Sequence, residues 1–180
     1  MEQYIGSINT VIAVSVIALQ VVTILVIGLF ISNRKTGHPL LSFISKYALV
    51  LGFLFSFASL ALSMFYSEVI GFAPCILCWY QRVFMYPQMF IFGLAFVRNE
   101  RTMLDYSLLL TIAGMCVSIY HVILENLPTG SLPCSATGPS CDIKYVLEFG
   151  YITIPVMALT GFVALLVTIL IARSLRTPQV

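Results

Sequence analysis

The stretch Pro74-Cys75-Ile76-Leu77-Cys78-Trp79-Tyr80-Gln81-Arg82 heads an apolar run that reaches Val97. Proline is at home in the first turn of a helix, so the spacing predicts a helix from Cys75 to Val97 with Pro74 at its start. Cys75 and Cys78 then share the first turn, and Arg82 lies one turn beyond Cys78 on the same face. Unsatisfied N–H groups and partial positive charge at a helix N-terminus favour a thiolate over a thiol. A guanidinium nearby acts the same way and cannot shed its proton to become cheaper to bury. A bare C-x-x-C also fits half a zinc site or a haem attachment, but the latter needs histidine where Trp79 stands. An arginine inside an otherwise uncharged membrane segment is expensive and marks function.

The surroundings are those of a membrane protein. Of 180 residues, 60% are hydrophobic and 9% charged, where a soluble domain is about 25% charged. The formal net charge of +2 says little about partners, and no nucleic acid is expected.

Five uncharged or nearly uncharged spans are predicted, each near the roughly 20 residues that cross a bilayer. The first is Ile8–Ile31. A signal peptide there would want a basic start and a shorter core, so it reads as a permanent helix. Ser32–Lys46 is a polar, basic connector. Tyr47–Ser67 follows, with Gly52, Ala58 and Ser59 available for close packing. Glu68–Ala73 links it to the C-x-x-C helix, which Pro87 should kink. After a polar turn at Arg98–Arg101, the fourth span runs Leu104–Leu124 with His121 near its end. Glu125–Gly150 is the only long stretch outside the spans and carries Cys134 and Cys141. Tyr151–Ala172 is the fifth span. The expected organisation is residues 1–46 as an extra helix and connector, 47–173 as a four-helix domain with its loop at 125–150, and 174–180 as a tail.

Under alternating topology, Arg34, Lys35, Lys46, Arg98, Arg101, Arg173 and Arg176 fall on one side, which the positive-inside rule makes cytoplasmic. The N-terminus is then outside and the C-terminus inside. Cys75, Cys78, Cys134 and Cys141 lie on the outer face, where disulfides form and persist. Cys116, mid-span, reads as a small packing residue.

A cysteine pair at a helix head and a second pair on an external loop suggest a relay. The loop pair can reach a soluble partner, and the membrane pair can pass electrons to something dissolved in lipid. Exchange proceeds by thiolate attack through mixed disulfides, so the pairs must touch, and a Pro/Gly-rich loop permits that. A quinone is the natural lipid-borne acceptor. Arg82 can hydrogen-bond a quinone oxygen, while His121 can do likewise or supply a proton. The competing readings are an arginine that snorkels to the interface and an interfacial histidine.

At these residues the chain resembles the DsbB/BdbC family of quinone-coupled disulfide bond formation proteins. The resemblance rests on PCILCWYQR, on Tyr120-His121-Val122 closing the next span, and on the loop leading into CDIKYVLEFGYITIPVMALTGF. It covers roughly Tyr47 to Ala172. It implies an all-α integral membrane protein, a four-helix transmembrane bundle to which Ile8–Ile31 is an added N-terminal transmembrane helix. It also implies a protein-disulfide:quinone oxidoreductase of the bacterial plasma membrane, with ubiquinone or menaquinone as cofactor and a thioredoxin-fold, DsbA/BdbD-like partner. By the resemblance, Cys75 and Cys78 form the quinone-linked pair, with Cys78 nearest the quinone. Cys134 and Cys141 form the loop pair, Cys134 capturing the partner and Cys141 exchanging with Cys75. Arg82 and His121 match positions lining the quinone site. The loop cysteines stand closer together here than in the proteobacterial enzymes.

Three other readings compete. A vitamin K epoxide reductase-like enzyme also couples quinones to thiols, but there the loop pair precedes the C-x-x-C. A structural metal site suits the C-x-x-C half, though not an oxidising location with an arginine beside it, and no metal is expected. A transporter would show repeated halves or intramembrane carboxylates.

Overall fold

The computed structural model describes residues 2–32, 38–128 and 139–175, with side chains from Ile5 onward. Cys134, the connector residues Arg34 and Lys35, and the tail from Arg176 lie outside the described residues. The chain is helical: α1 Glu2–Ser32, α2 Pro39–Met64, α3 Ile76–Arg98, α4 Met103–Asn126 and α5 Ile154–Ser174, with a π-helical turn Phe65–Val69 extending α2. Helices α2 to α5 pack each against the next, and α5 closes back on α2, which makes the four-helix bundle; α1 lies outside it, mainly along α5.

Helix α2 starts at Pro39, not at Tyr47, so Lys46 belongs to it. Pro39 takes a first-turn position and His38 caps it, its Nδ1 accepting Leu40 N–H at 3.3 Å. At the other end, the π-turn closes with Ile70 N–H to Phe65 O and Phe72 N–H to Tyr66 O. Gly71 then stops it at φ +85°, a conformation that favours glycine.

In lipid, helices associate by close packing more than by hydrophobic exclusion. The bundle core shows it: a Cβ at Gly52 would meet the Phe92 ring at 2.5 Å, and one at Gly114 the Phe162 ring at 2.3 Å. Ser56 is buried in α2 as well, whereas Ala58, expected to pack, faces outward. Cys116 also faces outward from α4, so it is not the packing residue expected. Polar contacts join α3 to α4, where fully buried Gln88 accepts from Ser107 Oγ at 2.7 Å and Thr111 Oγ1 at 3.0 Å.

Among the described residues, four helices are long and apolar enough to cross a membrane: Ile5–Ser32, Pro39–Val69, Met103–Asn126 and Ile154–Ser174. The expected third span is less apolar because α3 carries Gln81, Arg82 and Gln88. All three point into the bundle, while Val83, Phe90, Leu94 and Val97 face out. Its 23 residues reach about 35 Å, enough to cross beside its neighbours. The basic end of the bundle is tied by Arg101 Nη2 to Lys46 O at 3.4 Å and by the Arg173–Asp105 ion pair at 3.2 Å. Cys75, Cys78 and Cys141 sit at the opposite end.

Candidate functional site

Helix α3 begins one residue later than expected, and the difference is chemical. Cys75 is the N-cap, extended at φ −72° and ψ 172°, and Pro74 lies before the helix. Its Sγ takes the place of a serine or aspartate oxygen and accepts Cys78 N–H at 3.4 Å. The two sulfurs are 3.3 Å apart, and both are free thiols.

His121 reaches the same sulfur from α4. Its Nε2 is 3.7 Å from Cys75 Sγ and 3.2 Å from Cys141 O, and its Nδ1 is 3.4 Å from Gln81 Nε2. A carbonyl only accepts and an amide NH2 only donates, so this network requires the proton on Nε2. The imidazole therefore presents an N–H to Cys75. The Cys75 thiol is held well below its ordinary value, chiefly by the hydrogen bond from Cys78 against the opposing effect of burial, with His121 and the Cys78 N–H helping.

Cys141 is disulfide-bonded and buried, and it packs in one apolar cluster with Cys75, Leu77 and Leu124. Cys75, Cys78, His121, Glu125 and Cys141 line one small pocket. In its wall, Thr153 Oγ1 donates to Glu125 Oε1 at 2.6 Å and also caps α5, which joins the end of α4 to the start of α5. A turn with positive φ at Phe149 and Gly150 delivers the chain to that cap.

A second, larger cavity of about 150 Å³ opens on the other side of Cys78, between α2, α3 and α5. Its walls are apolar, with Leu62, Met85, Met157 and Phe162, and Arg82 supplies the charge. Arg82 is 8% exposed; its Nε donates to Ser63 Oγ at 2.9 Å, its Nη2 to Ser63 O at 3.1 Å, and it lies over the Trp79 ring. Buried and fastened to α2, it does not snorkel. Of the two residues expected at a quinone, Arg82 lines this cavity with Cys78, while His121 lines the smaller pocket beside Cys75. Cys78 lines both.

Sequence reasoning passed over Gln81, Ser63 and the Glu125–Thr153 pair. Gln81 had a signal: it stands three residues after Cys78, on the face that Arg82 shares. Ser63 and Thr153 had none, because their partners are on other helices. The sulfurs of Cys75 and Cys78 and a ring nitrogen of His121 also lie within 4.8 Å of one another, close enough for a shared metal ion.

The family model described as disulfide bond formation protein DsbB matches residues 45–172. The chain is 38% identical over 123 residues to a probable disulfide formation protein C 1 of Bacillus anthracis, covering 68% of this chain and 88% of that protein. It is 37% identical over 132 residues to a probable disulfide formation protein of Metapseudomonas resinovorans, covering 72% and 92%. It is 38% identical over 107 residues to disulfide bond formation protein C of Bacillus subtilis, covering 58% and 77%. No solved structure matches.

Proposed function

The chain belongs to the DsbB family of disulfide bond formation proteins, and from that premise we propose that it reoxidises a thioredoxin-fold, DsbA-type partner and passes the electrons to a membrane quinone. Family membership and the apolar helices make it a multi-pass membrane oxidoreductase of disulfide bond formation. The relay order, the acceptor, the partner and the orientation are our reading.

In that reading a partner thiolate attacks the Cys134–Cys141 disulfide and joins Cys134. The partner's second thiolate releases it, leaving the partner oxidised and the loop pair as thiols. Cys141 then attacks Cys75 of a Cys75–Cys78 disulfide and frees Cys78. Cys134 resolves the Cys75–Cys141 bond, so Cys75 and Cys78 now hold the electron pair. A quinone, when bound, takes up two electrons and two protons and becomes a quinol.

The observation that carries the proposal is that Cys78 lines both cavities, so one sulfur joins the pocket of Cys75 and Cys141 to the apolar cavity of Arg82. The residues of that cavity suit a quinone. Apolar walls keep out water, which strengthens any charge interaction within, and a buried guanidinium offers a fixed fork of donors to a carbonyl oxygen. On the thiol side, His121 keeps its N–H toward Cys75 and favours the thiolate that exchange requires. The basic residues Lys46, Arg98, Arg101 and Arg173 at the far end favour a cytoplasmic C-terminus and active cysteines on the outer face of a bacterial plasma membrane.

Trapping tests the order of steps. A reduced thioredoxin-fold partner whose second cysteine is replaced by serine should attack the wild-type Cys134–Cys141 disulfide and stay joined to Cys134, the thiolate that would release it being gone. Capture that required Cys75 instead would overturn the relay. A metal held by Cys75, Cys78 and His121 is the second reading, favoured by their spacing. Metal content of the purified protein, set against its thiol count with and without reductant, separates the two.

A further inference from the structure

The matched residues 45–172 leave out α1, yet α1 is tied by side chains to two of the three helical elements that line the apolar cavity, α2 with its π-turn and α5. The geometry points to α1 as a clamp across the α2–α5 side of that cavity, with Asn9 as a positioning residue that governs how firmly the lipid-borne acceptor is held. This deepens the quinone reading above and rests on it.

Two contacts carry it. Asn9 is buried on a helix whose other faces are largely exposed, and its Oδ1 accepts the Tyr66 hydroxyl at 3.1 Å. Tyr66 stacks on Phe72 with centroids 5.9 Å apart, and Phe72 on Tyr145 at 4.9 Å. All three rings line the cavity, so Asn9 fixes the first ring of a three-ring wall. About three turns further along the same face of α1, Gln20 makes the matching contact to α5. Its Nε2 donates to Thr160 Oγ1 at 2.9 Å, and its Oε1 accepts the Tyr151 hydroxyl at 2.9 Å. Thr160 directly precedes Gly161 and Phe162, both in the cavity wall. Asn9 thus holds the α2 side and Gln20 the α5 side.

The physical reason for a gain in affinity is preorganisation. Without the bond to Asn9 the ring at position 66 is no longer tethered to α1, so a ligand must order the wall on binding. Interhelical side-chain hydrogen bonds in membranes are modest, and the expected loss of affinity is about three- to fifteenfold.

The test uses the full-length protein in lipid nanodiscs, with short-chain ubiquinone and menaquinone analogues as probes. Quinol formation is measured against quinone concentration for wild type, Asn9→Leu, Tyr66→Phe and the double variant. Ser15→Ala is the control, since that hydroxyl only bonds Val11 O of its own helix. Each single variant should raise the apparent KM by that factor with kcat unchanged. The double variant should do no worse than either, because one bond is lost in all three, and Ser15→Ala should match wild type. If Asn9→Leu does not fold, Tyr66→Phe removes the same bond and decides alone. An unchanged KM, or effects that multiply in the double variant, would overturn the clamp while leaving quinone reduction standing. Wild-type protein that reduces neither analogue would overturn the quinone reading, and the clamp with it.

Discussion

Gln81 Nε2 lies 3.4 Å from His121 Nδ1, and this contact, together with Cys141 O at Nε2, keeps the imidazole proton on the nitrogen that faces Cys75. Gln81→Leu leaves Cys141 O as the remaining group that holds the proton on Nε2, so the other tautomer, a poor partner for a thiolate, competes better. Alkylation of Cys75 should slow by about three- to tenfold, the value of one hydrogen bond. Gln81→Glu should not slow it, because a carboxylate at Nδ1 draws a proton there and favours the imidazolium, which still donates from Nε2. Equal slowing in both variants would contradict the tautomer assignment.

Arg82→Lys keeps the charge and loses the fork. If Arg82 serves the acceptor, apparent quinone affinity should fall by about tenfold, the scale of a charged hydrogen bond, with exchange between the cysteine pairs untouched. Ser63→Ala tests the structural reading separately, since Ser63 is where α2 anchors this side chain. Affinity that survives Arg82→Lys in well-expressed protein would remove Arg82 from the site.

The pH dependence of Cys75 follows from its lowered pKa. A group with a depressed pKa keeps its charged form above that value and loses it only as pH falls through it. An ordinary thiol titrates near 8.5, so its alkylation rate drops by roughly two orders of magnitude between about pH 8 and pH 6. The rate at Cys75, measured in reduced Cys116→Ala protein, should stay nearly level across that window. A rate that tracked an ordinary thiol would contradict the arrangement of donors around this sulfur.

Much of this was legible in the residues. Apolar runs marked the helices, and C-x-x-C with an arginine four residues on pointed to the candidate site. The helix ends were harder. Lys46 suggested a connector, but Pro39 with His38 before it is a stronger start signal than one lysine is a stop. Pro74 suggested the first turn, but it stands outside the helix and gives the capping place to Cys75. What sequence spacing could not show was pairing between helices. Ser63 with Arg82, Glu125 with Thr153 and Asn9 with Tyr66 each join residues whose separation along the chain carries no period. His121 was found by its place at the end of α4, but its side of Cys78 depended on how α4 is rotated against α3.

Orientation rests on charge, and reporter fusions test it. Fusions after Arg101 and after Val180 should both read as cytoplasmic. An external signal from either would place the cysteines on the reducing side, where a loop disulfide does not persist.

The central claim is that electrons pass from a partner's thiols through Cys134 and Cys141, then Cys75 and Cys78, to a quinone. The most direct measurement is anaerobic quinol formation by the purified protein supplied with a reduced thioredoxin-fold partner and a short-chain quinone. The account predicts one quinol per pair of partner thiols oxidised, abolished in Cys78→Ser and in Cys134→Ser. In Cys134→Ser, quinol formation should return when a small dithiol reduces the Cys75–Cys78 disulfide directly. Quinol formed at the wild-type rate by Cys78→Ser, or partner oxidation by the wild type with no quinol formed, would contradict it.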